Sequence, residues 1–198
     1  MKRIINVLIT AFVLTLVPAT YACAQWEYKS MGHEGMAYVR NANGKYGFVN
    51  ESGKLVIPCK WNEASEFYEG LAAVKDANGK WGFVNKTGKL VIPCKWKNRQ
   101  WFCEGLSAVQ DASTEKWGFV NKTGKLVIPC KWKFALKFTE GLADVKDADT
   151  EKWGVINKTG KVLVPCKWKK ILISSSGEIK AMDDAGKWYD LDRSGNIK

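Results

Sequence analysis

The phrase Gly-Lys-Trp-Gly-Phe-Val-Asn-Lys-Thr-Gly-Lys-Leu-Val-Ile-Pro-Cys-Lys-Trp runs from Gly79 to Trp96. It recurs almost verbatim from Glu115 to Trp132, and with conservative changes from Gly44 to Trp61 and from Glu151 to Trp168. Recurrence constrains this chain more than any single motif: a residue found in every copy builds the copy, and chemistry has to be sought where copies differ. Tyr46, Trp81, Trp117, Trp153 and Trp188 are spaced 35, 36, 36 and 35 residues apart, and Gly35, Gly70, Gly105, Gly141 and Gly177 are spaced 35, 35, 36 and 36. A fixed period of this size marks a stacked or radial repeat architecture. The extra residue enters where Asp76-Ala77-Asn78-Gly79 becomes Asp111-Ala112-Ser113-Thr114-Glu115 and Asp147-Ala148-Asp149-Thr150-Glu151. Exposed hairpin tips tolerate such insertions, so a tip is expected there.

Each copy reads as three strands, over 71–75, 80–85 and 89–97 in the second copy. The first ends in the turn formers Asp76 to Gly79, and Asn85-Lys86-Thr87-Gly88 makes a second hairpin turn. Alternation places Trp81 and Phe83 on one face of the middle strand, and Leu90, Ile92, Cys94 and Trp96 on one face of the third. Pro93 cannot donate to a ladder, so the third strand is expected to be an edge, to be bulged or to change partner. The Gly between the two aromatics (Gly82, Gly118, Gly154) implies a close backbone approach, with the neighbouring copy the expected visitor. Trp81, Gly82, Phe83, Trp117, Gly118, Phe119, Trp153 and Gly154 are therefore assigned to the repeat core. The stretch from Asn98 to Glu104 varies between copies and is left without a strand.

Lys2 and Arg3, an apolar run from Ile4 to Val17 and the small residues Ala22-Cys23-Ala24 read as a leader over 1–24, followed by a repeat domain over 25–198. The apolar run is short of the about 20 residues a spanning helix needs. Lipidation of Cys23 is the alternative to cleavage, although Thr20-Tyr21-Ala22 lacks the usual aliphatic residue. The chain is thus expected to be exported, to the periplasm, cell surface or medium, with no transmembrane segment. Trp26 stands to Gly35 as Trp61 does to Gly70, so the repeats begin at the tail of one copy and finish inside another. Such permuted ends suit a five-bladed ring closed from both termini, and equally an open array with partial caps.

The chain carries 31 basic and 20 acidic residues, a net charge of +11; loss of Lys2 and Arg3 leaves 29 against 20, or +9. That balance favours anionic partners, nucleic acid being set aside by export, or simply keeps a lysine-rich β-protein soluble. Cys59, Cys94, Cys130 and Cys166 share one register while Cys103 stands alone. With no C-x-x-C pair and one histidine, His33, no metal site and no cofactor is expected. Disulfides Cys59–Cys94 and Cys130–Cys166 would require the close stacking of a solenoid. Otherwise each cysteine is a small residue packed beside its proline.

The motif Gly-Lys-Trp-Gly-Phe-Val-Asn-Lys-Thr-Gly-Lys-Leu-Val-Ile-Pro, followed by Phe-x-Glu-Gly-Leu-Ala-x-Val, resembles the WG repeat of many bacterial proteins, often exported ones. The resemblance covers residues 26–198. Tyr46 replaces the Trp in the first copy, Tyr189 the Gly in the last, and Pro-Cys-Lys-Trp a more usual Pro-x-x-Tyr. It implies an all-β array of about five antiparallel units serving as an interaction surface, with no catalytic residues to carry over. An open array or superhelix is expected ahead of the five-bladed, propeller-like ring.

Trp61, Trp96, Trp132 and Trp168 share strands with Leu and Ile and read as core rather than as a sugar-stacking ladder. The rows Lys60, Lys95, Lys131, Lys167 and Lys86, Lys122, Lys158 place like charges in register, which solvent or a bound polyanion has to relieve; hydrated side chains are the default. The Asn-x-Thr matches at Asn85, Asn121 and Asn157 are explained by a turn without a glycan, and Asp147, Asp149 and Glu151 lack the Gly of a calcium loop. Among off-register residues only Cys103, Trp101 and His33 stand out, too few for a catalytic constellation. The chain therefore reads as a non-catalytic, exported binding module for a protein or an anionic surface polymer, with Trp101, Lys97, Lys133, Lys137 and Arg99 as binding residues. A carbohydrate-binding module using exposed Trp, and a structural scaffold, are the alternatives. Specificity is expected in the segments that vary, 62–69, 97–104 and 133–140, and in the turn tips.

Overall fold

The computed structural model describes residues 26–198; the leader expected over 1–24, with Cys23, lies outside the described residues. Five antiparallel sheets follow one another along the chain. The first contains β1 (Tyr28–Lys29), β2 (Met36–Arg40), β3 (Tyr46–Asn50) and β4 (Leu55–Trp61). The second contains β5 (Glu63–Tyr68), β6 (Leu71–Lys75), β7 (Trp81–Asn85) and β8 (Leu90–Trp96), and the third β9 (Asn98–Arg99), β10 (Leu106–Gln110), β11 (Trp117–Asn121) and β12 (Leu126–Trp132). The fourth contains β13 (Phe134–Ala135), β14 (Leu142–Lys146), β15 (Trp153–Asn157) and β16 (Val162–Trp168), and the fifth β17 (Lys170–Ile173), β18 (Ile179–Met182) and β19 (Trp188–Leu191). In every sheet the spatial order is the chain order.

Three strands per copy match the sequence reading. The fourth arises in the variable segment, as β5, β9 and β13, and precedes the others in its sheet. It escapes detection because β9 and β13 are two residues each, too short to show alternation, and are held only by pairing with β10 and β14.

Two turn chemistries recur. In the turn after β7, Asn85 Oδ1 accepts the backbone N–H of Thr87 at 3.1 Å and of Lys89 at 2.9 Å, and Gly88 closes the turn at φ +83°. In the first four sheets a two-residue Glu-Gly loop leads into the first long strand, as between β5 and β6 with Glu69 at φ 52° and Gly70 at φ 80°, the type I′ geometry whose twist suits a hairpin. The inserted residue sits at the β10–β11 and β14–β15 tips, where Glu115 and Glu151 take φ 59° and 55°.

The proline strand is both an edge and bulged. Trp81 pairs with Trp96, Phe83 with Ile92 and Val84 with Leu90, so β8 uses four residues where β7 uses two, then two where β7 uses one. The bulge overturns two sequence expectations. Alternation breaks, so Cys94 faces the preceding sheet, beside Val74 and Val84, while Ile92 and Trp96 face the following one. The glycine is crowded by its own sheet, not by a neighbouring copy: a Cβ on Gly82 would lie 2.5 Å from Ile92 O and 2.8 Å from Cys94 N.

Apolar clusters join each sheet to the next. Met36, Phe48, Ile57 and Trp61 of the first sheet meet Phe67, Ala72, Val74 and Val84 of the second, and equivalent sets join second to third, third to fourth and fourth to fifth. Among the described residues no cluster joins the fifth sheet to the first; the face of the first sheet turned away from the second, Ala37, Val39 and Val49, is buried against Trp26 and Cys59 instead. Nor, among the described residues, is any sheet assembled from both ends, since β1 pairs with β2 and the fifth sheet holds β17 to β19. The fold is an open all-β array.

A polar ladder runs beside the clusters. Glu34 accepts the N–H of Gly70 at 2.9 Å, Glu69 that of Gly105 at 3.0 Å, and Glu104 that of Gly141 at 3.0 Å. Lys86 reaches back to Glu34 O at 2.7 Å, and Lys158 to Glu104 Oε2 at 2.9 Å. At least at these two positions the axial lysine row is neutralised by a glutamate row rather than by water alone. Burial pushes the Glu104 carboxyl up, but Lys158 and the N–H groups of Gly141 and Glu140 outweigh it and hold the group below the usual range.

Candidate functional site

Two surfaces depart from plain repeat packing. The first is the outer rim formed by β4, β8, β12 and β16. The bulge turns Pro and Lys outward on each strand, so Lys60, Lys95, Lys131 and Lys167 are exposed next to partly exposed Leu55, Leu90, Leu126 and Val162. Each Nζ lies over the ring of the adjacent tryptophan, between 4.7 Å for Lys131 on Trp132 and 5.2 Å for Lys167 on Trp168. None of the four forms an ion pair with a described carboxylate, unlike Lys86 and Lys158. Proline, lysine and bulge together also keep these edges from adding a further strand.

The second surface lies along the variable segments. The ring of His33 packs on Tyr68 at 4.7 Å, Tyr68 stacks on Trp101 at 5.5 Å, and Lys137 Nζ lies 5.4 Å from the Trp101 centroid. Trp101 remains 38% exposed. His33 Nδ1 is 2.5 Å from Phe67 O and donates to it, tying the first sheet to the second.

The residues singled out from sequence thus separate. Trp101 and Lys137 come together. Lys97 pairs with Glu115 and Lys133 with Glu151, each spanning a hairpin tip of its own copy. Arg99 is largely withdrawn from solvent, its guanidinium 4.2 Å from the Trp81 centroid, and burial lowers its pKa to about 10. Trp81, Phe83, Trp117 and Phe119 are buried, as are Gly82, Gly118 and Gly154, whereas Trp153 is only partly covered. Cys103 is half-buried and free, as are Cys59, Cys94, Cys130 and Cys166.

Asp144 escaped the sequence reading. It occupies the β14 position held by Ala73 and Ala108 in sister sheets, is 7% exposed, and its carboxylate takes no hydrogen bond or ion pair from any described residue. Burial alone pushes the carboxyl up to about 7. Comparing copies position by position in the first long strand would have exposed it. The interface it faces is also unlike the others. Phe48–Phe67, Phe83–Phe102 and Phe119–Phe138 pack at centroid distances of 5.0, 4.9 and 4.8 Å across the first three interfaces, while the corresponding residues of the fourth are Val155 and Ser174. Two hollows adjoin Asp144: one of about 210 Å³ toward Trp101, and one of about 510 Å³ toward Trp153 and Met182.

Comparison with known proteins bears on architecture. No curated protein matches the chain in sequence. The chain is similar in shape to Hsv2 of Kluyveromyces lactis, at 9% identity and a TM-score of 0.49, over 82% of this chain and 59% of that one. It is similar to BamB from Moraxella catarrhalis at 12% identity and a TM-score of 0.44, over 86% and 61%, and to the WD40 β-propeller domain of Doa1 at 11% identity and a TM-score of 0.38, over 83% and 64%. It therefore spans less than two thirds of each of these chains. The profile of the WG containing repeat matches residues 46–81, 81–111, 117–149 and 153–179, more than half of the sequence. With four tandem matches in phase with the observed sheets, the chain belongs to the WG-repeat family.

Proposed function

We propose that this protein is an exported, non-catalytic interaction module whose lysine-bearing rim holds an anionic surface, either an acidic protein face or an anionic envelope polymer. The observation that supports it is the contrast between two lysine rows. Axial Lys86 and Lys158 meet carboxylates of the preceding sheet, whereas Lys60, Lys95, Lys131 and Lys167 on the rim meet none among the described residues. Four equivalent cations beside exposed aliphatic side chains offer a repeated, multivalent contact, for which a repetitive anionic ligand is the natural complement. Such a surface supplies charge and apolar area but no nucleophile or general base, which favours binding without turnover. Among the described residues no helix is long and apolar enough to cross a membrane.

Binding of the mature chain to dextran sulfate and to polyphosphate, followed by calorimetry from low to high salt, tests the reading. Affinity is expected to fall steeply with salt and by at least about tenfold when the four rim lysines are changed to Gln. Affinity indifferent to salt, or unchanged in the rim variant, would overturn it. Lys86→Gln with Lys158→Gln serves as the control and is expected to cost stability instead.

A further inference from the structure

The hollow around Asp144 is a second place where the repeat is broken, and it is independent of the rim. Three observations converge on it. First, an acidic side chain replaces the alanine of sister sheets at a buried position and has no partner in the fold. Such a carboxyl destabilises the fold, because it has given up most of its water without gaining a protein partner, while it still reaches the hollow. Second, the residues around it are amphipathic: the Trp101 ring, Leu136 and Ile173 form walls, while Lys137, Gln100 and Thr139 stand with Asp144 as polar groups. Third, Trp101 stacks on Tyr68, remains 38% exposed, and is approached by the exposed side chain of Lys137, which a ligand can displace.

The chemistry of the lining selects the ligand. Asp144 can only accept hydrogen bonds when ionised, and Lys137 can only donate. A ligand satisfying both needs groups that donate and accept, which hydroxyls do. A cation would suit Asp144 but would meet Lys137 here and Lys169 and Lys170 at the adjoining hollow. An anion would suit the lysines but not Asp144. The apolar walls call for a ligand with one apolar face, and the C–H face of a sugar ring laid on an indole meets that need. The hollow of about 210 Å³ accommodates one such ring, and its neighbour of about 510 Å³ leaves room for the next residue of a chain.

We infer that the hollow lined by Trp101 of the third copy, Lys137 and Asp144 of the fourth and Ile173 of the fifth binds a neutral pyranose unit of a glycan, with Trp101 as the stacking platform, Asp144 accepting from ring hydroxyls and Lys137 donating to them. The site does not rest on the rim reading, and the two fail separately, since one answers to polyanions and salt and the other to neutral sugars.

The test uses the mature chain with its tryptophans 15N-labelled at the indole, titrated with the methyl glycosides of glucose, galactose, mannose and N-acetylglucosamine and with their β-linked oligomers. At least one sugar is expected to shift the Trp101 indole resonance saturably, at an affinity that changes less than twofold with salt. Asp144→Asn and, separately, Trp101→Ala, the latter read by calorimetry, are each expected to weaken binding tenfold or more. Tyr28→Ala, an exposed aromatic of the first sheet at the other end of the array, is expected to leave it unchanged. Asp144→Ala keeps the fold testable, because alanine stands at this position in the second and third sheets. The proposal is overturned if no sugar in the panel shifts Trp101, if binding survives both substitutions, or if methylammonium or arginine shifts Trp101 where the sugars do not.

Discussion

The carboxylate of Glu104 accepts the backbone N–H of Gly141, one full copy further along the chain, at 3.0 Å. Glu104 itself has φ 53°, a backbone conformation that costs a non-glycine residue on the order of 1 kcal/mol. The link between sheets therefore offsets the strain inside the turn. Glu140 has the same strain at φ 51°, but its carboxylate makes no hydrogen bond with any described residue. Glu104→Ala is expected to cost about 1 to 2 kcal/mol in urea unfolding, and Glu140→Ala a few tenths. Equal costs would mean that the carboxylate does not carry the link.

Gly118 is required by space rather than by dihedral angle. An added Cβ would lie 2.5 Å from Ile128 O and 2.7 Å from Cys130 N, both of them backbone atoms that cannot swing away. Gly118→Ala is expected to lose more than about 3 kcal/mol, or to leave no folded protein by circular dichroism. A folded variant with an unchanged melting temperature would show that the bulge of β12 yields.

Two tryptophans should behave oppositely. Trp117 is 4% exposed and Trp101 38%. Trp117→Ala is expected to cost about 3 to 5 kcal/mol and Trp101→Ala no more than about 1 kcal/mol by thermal unfolding.

Stability should carry the mark of Asp144. Its folded pKa of about 7 lies above the roughly 3.9 of an unfolded aspartate, so the protonated form favours the fold. That contribution is complete below about pH 4, declines as pH rises and is gone above about pH 7. Asp144→Ala is expected to raise stability by on the order of 3 kcal/mol at pH 8 and by much less at pH 4, measured as urea midpoints. An equal shift at both values would contradict the assignment.

The five described thiols are free and their pKa values are raised by burial, Cys94 to about 11 with Asp76 adding to the effect. Reaction with a disulfide reagent at pH 8 is expected to be at least tenfold slower for the native protein than in guanidinium, where all five react. Non-reducing peptide maps should then contain neither Cys59–Cys94 nor Cys130–Cys166 bridges.

Period, turn positions and three strands of every copy were legible in the sequence because each depends on local chemistry: Asn-x-Thr-Gly makes its turn wherever it occurs, and Pro93 bars a central strand. The membership of the family was legible for the same reason, being written into one phrase repeated four times. What one copy does to the next was not. The short strands β9 and β13 exist only because a longer strand is there to pair with them. The bulge that sends Cys94 to the opposite face, and sets its backbone against Gly82, comes from pairing register and not from alternation. The glutamates of the polar ladder read as turn residues until the following copy brings a glycine N–H to each. Arg99 and Trp101 are two residues apart, yet one is packed on Trp81 and the other remains open. Asp144 looks like an ordinary strand residue until the packing of the fourth and fifth sheets buries it without a partner beside two hollows. The sequence alone determined the unit, through interactions that span a few residues; the tertiary structure decided which surfaces stay free, because exposure and charge pairing belong to contacts between sheets some 35 residues apart.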